Sequence, residues 1–263
     1  MKCAAILGLF VCLVLVEDAF ADSLGTYFYK ELGCTEKTDS KVVQYTCPDF
    51  LPKNGTCNFK RSVLNIGEEV DKEDLKGSCH ATCVCSGDGH ITCAHYDCFE
   101  RLKSGCSHFK YSLDRCCAVD SVCGPIATCE IEGKTYQEGN TVHLKEKCEV
   151  CVCDVNFQQK APFCRPRKCY DRATFANAIE RFGAPAFFKN ENCCPNVWVT
   201  DEGQELVKMN QETASESGVS CNFGTRKVAL GYGFKTKVKP YGTEVSLNCE
   251  CSMPPYLICK EAA

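Results

Sequence analysis

The stretch CHATCVC at residues 79–85 places three cysteines within seven positions, and CEVCVC at 148–153 nearly repeats it. Clustered sulfur can ligate metal, run redox chemistry or cross-link the chain, and the compartment decides first. Residues 1–21 read as a secretory signal peptide, with Lys2, an apolar stretch from Cys3 to Val16, and Ala19-Phe20-Ala21 as a small-x-small cleavage site. That run is short of the ~20 residues a transmembrane helix needs. The C-terminal YLICKEAA shows no lipid-anchor pattern. The expected product is therefore a secreted, extracellular protein without a membrane span, starting near Asp22, in surroundings where disulfides are the default state of thiols. Removing Cys3 and Cys12 with the signal leaves 24 of the 26 cysteines, an even number that allows twelve bridges. The net charge of −4 and the lack of a dense Lys/Arg block give no linear signature for nucleic acid or heparin.

The cysteines repeat. A first copy holds Cys57, Cys79, Cys83, Cys85, Cys93, Cys98, Cys106, Cys116, Cys117 and Cys123. A second holds Cys129, Cys148, Cys151, Cys153, Cys164, Cys169, Cys193 and Cys194, with the same C-x-C cluster and the same closing Cys-Cys pair. A shorter third copy contributes Cys221, Cys249, Cys251 and Cys259.

This arrangement resembles the von Willebrand factor type C family, the chordin-like cysteine-rich repeats, which carry a central C-x-x-C-x-C and a late C-C-x-x-C. The first copy supplies all ten family cysteines, with its last step widened to CCAVDSVC and one extra residue in CHATCVC. The second adds the family's early glycine-aromatic pattern in CEIEGKTYQEG, through Gly133, Tyr136 and Gly139. The resemblance implies a pairing of first with fourth cysteine, second with eighth, third with fifth, sixth with ninth and seventh with tenth. In the first copy it gives Cys57–Cys85, Cys79–Cys116, Cys83–Cys93, Cys98–Cys117 and Cys106–Cys123. In the second it gives Cys129–Cys153, Cys148–Cys193, Cys151–Cys164 and Cys169–Cys194, and in the third Cys221–Cys251 and Cys249–Cys259. The losses fall on partner pairs, so nothing is orphaned, and Cys34–Cys47 completes the count.

Repeats this small bury little apolar surface, so bridges contributing about 2 to 4 kcal/mol each must compensate. The expected fold class is small, disulfide-rich and mainly β: tandem modules with short antiparallel sheets and irregular second halves. The boundaries read as signal peptide 1–21, extension 22–56, first module 57–123, second module 129–194, acidic flexible linker 195–220 and partial module 221–259. Gly87-Asp88-Gly89 reads as a hairpin turn. In DRATFANAIERFG, the i, i+3, i+4, i+7 spacing of Phe175, Ala178, Ile179 and Phe182 predicts one short helix in the second module, started by Asp171 or Thr174 and ended by Gly183. Its apolar face either covers the module core where a bridge has been lost or forms a partner-binding patch with Phe187 and Phe188.

No G-x-S-x-G, H-E-x-x-H or phosphate-binding glycine loop is present, so the reading is a non-enzyme with no cofactor. Zinc ligation by the clusters with His80, His90, His95, His108 or His143 is outweighed by the disulfide reading, and the metal expectation is none. Asn54-Gly55-Thr56 is a glycosylation sequon. The resemblance implies binding of extracellular protein ligands, with growth factors of the bone morphogenetic protein and TGF-β group as candidates; the alternative is a structural matrix or secreted-fluid protein. In ligand-binding relatives the first half of a repeat and the segment entering it supply apolar contacts, which here points to Phe50, Leu51, Val63, Leu64 and Ile66. The competing reading is that these side chains cover the disulfide core of a small sheet.

Overall fold

Residues i and i+2 of a strand face the same side, so both cysteines of a C-x-C cluster point into one core. The computed structural model describes residues 26–37, 42–52, 55–189, 193–210 and 218–262; the signal segment 1–21 and Asn54 lie outside the described residues. The chain is mainly β in short sheets, with short helices at 26–31, Lys72–Leu75, Asp171–Thr174 and Ala176–Glu180.

The three copies share one construction. The first cysteine of each cluster lies opposite a cysteine on the next strand: Cys83 opposite Cys93, Cys151 opposite Cys164 and Cys249 opposite Cys259. Each pair is bridged, with Cα atoms 4.0, 4.1 and 3.9 Å apart, close to the ~4.5 Å of directly opposed, non-hydrogen-bonded residues. The second cysteine reaches to a hairpin over the same face, through Cys57–Cys85, Cys129–Cys153 and Cys221–Cys251 with Cα separations of 5.7, 5.7 and 5.6 Å. Those hairpins are Cys57–Phe59 with Ser62–Leu64, Thr128–Ile131 with Lys134–Gln137, and Ser220–Phe223 with Arg226–Ala229. A glycine then returns the chain onto the cluster strand. Gly67, Gly139 and Gly231, with φ of 82°, 87° and 73°, donate their N–H groups to the carbonyls of Cys85, Cys153 and Cys251 at 2.8, 2.7 and 3.0 Å. Left-handed backbone of this kind favours a residue without Cβ.

The chain forms two compact units, Pro48–Glu180 and a second that joins the described residues up to Cys47 to Arg181–Ala263. The first unit contains the first copy and most of the second. In the first copy's later half, Cys79–Cys116, Cys98–Cys117 and Cys106–Cys123 anchor the hairpin of Cys106–Lys110 with Asp120–Cys123. Lys110 ties this hairpin to the second copy, pairing with Glu138 and Asp154 at 2.8 Å each. Gly139 sits against it so closely that a Cβ would come 2.9 Å from the Lys110 Cα. Asp88 and Gly89, with φ of 51° and 85°, make the two-residue turn between His80–Gly87 and His90–His95.

The helix expected in the second module is two helices, Asp171–Thr174 and Ala176–Glu180, broken at Phe175. The Arg172 side chain is only 3% exposed and turned inward. Its guanidinium pairs with Glu180 at 2.8 Å, donates to the carbonyls of Phe50 at 3.2 Å, Asn58 at 3.3 Å and Gly89, and lies over the Phe50 ring. Carbonyls of Phe50, of Asn58 in the first hairpin and of Gly89 in the second hairpin's turn thus share one cation from much later in the chain.

The second unit is built on an eight-stranded sheet whose central strands are Tyr232–Val238, Val245–Met253 and Tyr256–Glu261. Phe223, Phe234, Leu247, Leu257 and the third copy's cysteines fill its core. Three boundaries read from the sequence differ here. Arg181–Cys194, placed in the second module, belongs to this unit, and Ala184–Phe187 pairs in parallel with Tyr256–Glu261. The expected linker is tied into the sheet as far as it is described: Val197–Val199 pairs with Ala184–Phe187, and Val207–Lys208 with Tyr232–Val238. Asp201 bonds Arg226 at 2.6 Å, and the Trp198 ring meets Phe28 and Tyr256. Residues 211–217 lie outside the described residues. The 22–56 extension divides between the units: Cys34–Cys47 bridges the pair of strands Thr35–Lys37 and Gln44–Thr46, while Phe28 and Tyr29 are completely buried beside Tyr256.

Cys148, Cys169, Cys193 and Cys194 are also disulfide-bonded. The pairs Cys148–Cys193 and Cys169–Cys194 stay expectations of the family pattern.

Candidate ligand-binding surface of the first copy

Pairing in the first hairpin sets which side chains face out. Cys57 opposes Leu64, and both enter the core with Phe59, Val70, Leu75, Cys83, Cys85 and Ile91. Asn58 opposes Val63 on the other face. The five residues singled out from the sequence therefore separate. Leu64 is 7% exposed and Phe50 6%, the latter beneath Arg172, so both serve the core. Val63 at 64%, Ile66 at 66% and Leu51 at 40% lie open. A paired change at Leu64 and Ile66 would thus mix a folding effect with a surface effect.

The open residues rest on a fixed backbone. Ile66 lies over Gly55 and Gly87, where an added Cβ would stand 3.4 and 3.3 Å from its Cδ1. Asp88 accepts the Gly55 N–H at 3.3 Å, Glu68 accepts the Asn65 N–H at 2.8 Å, and Asp49 accepts the Leu51 N–H at 3.0 Å. These apolar side chains with acidic neighbours have the make-up of a small hot spot inside a polar rim. The alternation that exposes Val63 is visible in the sequence only once the pairing of Cys57 with Leu64 is known.

His80 is the buried titratable group of this copy. It is 7% exposed, its ring lies 4.6 Å from that of His95, and neither ring nitrogen has a hydrogen-bond partner among the described residues. Burial first, and then His95, hold its pKa below the ordinary histidine value. With the folded pKa depressed, the unfolded chain takes up the proton first as pH falls. The stability this histidine allows is complete above about pH 6.5 and is lost as pH falls toward the folded pKa. Native protein is expected to show a falling unfolding temperature between pH 7.5 and 5, and His80→Phe a flatter profile, measured by thermal scans of the oxidised proteins. Parallel profiles would count against this assignment.

Among the described residues, the one group of three side chains within metal-ligand reach of one another, Cys98, Cys116 and Cys117, is already committed to disulfides. Among the described residues no helix is long and apolar enough to cross a membrane. No family model, curated protein or solved structure matches the chain.

Proposed function

We propose that this is a secreted, disulfide-knit protein of von Willebrand factor type C character, a non-enzyme that binds extracellular protein ligands through its first copy. Growth factors of the bone morphogenetic protein and TGF-β group are the ligands that the resemblance favours. The observation that carries the reading is the exposure of Val63 and Ile66 on the one copy with the full set of ten bridged cysteines, and of Leu51 in the segment entering it. A loop with no partner has little reason to hold three large apolar side chains in water on a braced backbone. The twelve-bridge potential fits an oxidising compartment, and the sequon Asn54-Gly55-Thr56 fits glycosylation of a secreted chain.

The test is binding of purified, oxidised protein to an immobilised panel of TGF-β-group ligands. Capture of at least one at micromolar concentration or below is expected. Failure of a correctly bridged sample to bind any of them would favour the structural matrix or secreted-fluid class.

A further inference from the structure

Two bridges of the first copy meet at one corner. Cys116 and Cys117 are neighbours in sequence and bond to Cys79 and Cys98 respectively. The sulfur of Cys98 also lies 3.7 Å from that of Cys116, to which it is not bonded. The sulfurs of Cys98, Cys116 and Cys117 are all within 4.8 Å of one another. Two bridges with sulfurs this close are set for thiol–disulfide exchange, in which a thiolate attacks one sulfur of a disulfide and displaces the other.

Access separates this corner from the rest of the copy. Cys57, Cys83 and Cys85 are at most 1% exposed, so both bridges of the first half run into the core. By contrast, Cys79 and Cys98 are exposed, and Cys116 and Cys117 are half-buried. A cleft of about 300 Å³, lined by Cys98 and Cys117 together with Asp97 and Arg101, gives a small thiol room to approach their bridge. Residues 96–105, which carry Cys98, lie outside helix and strand, so moving Cys98 breaks no sheet ladder. Neighbouring Cα atoms stand about 3.8 Å apart, so exchanging Cys116 and Cys117 as partners requires only a short shift of each attachment.

We propose that this corner is a thiol–disulfide exchange site, at which a small extracellular thiol switches the pairing to Cys98–Cys116 and Cys79–Cys117. The entering thiolate, its proton given to solvent, attacks the Cys117 sulfur. The Cys98–Cys117 bond breaks, a mixed disulfide forms on Cys117, and Cys98 leaves as a thiolate. Cys98 then attacks Cys116, forming Cys98–Cys116 and releasing Cys79 as a thiolate. Cys79 attacks the mixed disulfide on Cys117, forming Cys79–Cys117 and returning the small thiolate, which regains a proton. Each step makes one sulfur–sulfur bond and breaks one, so the thiol acts as a catalyst and nothing is oxidised or reduced overall. The switch depends neither on the Val63–Ile66 surface nor on growth-factor binding.

The same half of the copy contains its own control. The Cys106–Cys123 bridge joins a half-buried cysteine to an exposed one, yet neither belongs to a group of three close sulfurs among the described residues. Exposure alone would make this bridge open like its neighbours, whereas the relay would leave it without a third sulfur to pair with.

The experiment incubates the full oxidised protein with reduced glutathione in the absence of denaturant, quenches with acid, alkylates free thiols and maps the bridges by peptide mass spectrometry. The expected result is at least tenfold more Cys98–Cys116 and Cys79–Cys117 than in a thiol-free control. Cys106 and Cys123 are expected to yield only thiols or glutathione adducts, and Cys57, Cys83, Cys85 and Cys93 to stay bridged as before. Opening of Cys98–Cys117 to adducts with no Cys98–Cys116 would overturn the proposal, since the bridge would then be merely exposed. New bridges to Cys106 or Cys123 in equal yield, or scrambling that reaches the first half, would overturn it in favour of general unfolding. A corner that stays unchanged throughout would overturn it as well.

Discussion

Replacing Arg172 with alanine is expected to destabilise the Pro48–Glu180 unit by about 3 to 5 kcal/mol, the usual cost of removing one partner from a buried ion pair. Among the described residues Glu180, 5% exposed, would keep only the His90 ring at 3.4 Å. The carbonyls of Phe50, Asn58 and Gly89 would lose their shared donor, and each orphaned buried acceptor adds its desolvation cost. The double change R172M/E180L removes both charges but leaves those carbonyls unpaired, so it is expected to recover only part of the loss. Urea unfolding of oxidised protein, read by amide exchange in Cys57–Phe59 and His80–Gly87, measures both. A loss under 1 kcal/mol for R172A would mean that the disulfides alone hold these loops.

The second large effect is at Tyr29, which reaches the core of the other unit from outside the repeats. Its ring is fully buried and stacks on Tyr45 with centroids 4.1 Å apart. Its hydroxyl donates to the Met253 carbonyl and accepts the Tyr256 N–H at 3.1 Å. Burial raises its pKa well above that of free tyrosine, so the phenol stays neutral and can donate. Tyr29→Ala is expected to cost about 3 to 5 kcal/mol, as for other large buried aromatics. Tyr29→Phe keeps the packing and strands two backbone groups, for about 1 to 3 kcal/mol. Exchange rates in Val245–Met253 report both, and the order Ala worse than Phe is the discriminating outcome. Equal effects would assign the whole contribution to the hydroxyl.

The sequence made the disulfide-rich β character legible because C-x-C spacing has the period of a strand and the cysteine count is high and even, while the pairing was readable only through the family resemblance. Other features were hidden for identifiable reasons. The inward turn of Arg172 follows from the Phe50, Asn58 and Gly89 carbonyls, which lie more than eighty residues earlier in the chain and which no local pattern brings to it. Residues 197–208 look like a tether by composition, yet Trp198 and the Asp201–Arg226 pair bind them to the sheet. Phe28 and Tyr29 lie in a segment with no repeat signal, and their partner Tyr256 is more than two hundred residues away. At the candidate ligand surface, hydrophobicity marked the right segment but not the split between Leu64 and Val63, which follows from strand facing.

The central claim, ligand capture by the open apolar edge of the first copy, is tested most directly by comparing native protein with V63D/I66D against a captured TGF-β-group ligand. Both side chains are open to solvent, so thermal unfolding and the bridge map are expected to be unchanged. Binding is expected to weaken by at least tenfold, about 1.4 kcal/mol. Affinity equal to native in a variant with intact bridges would contradict the account.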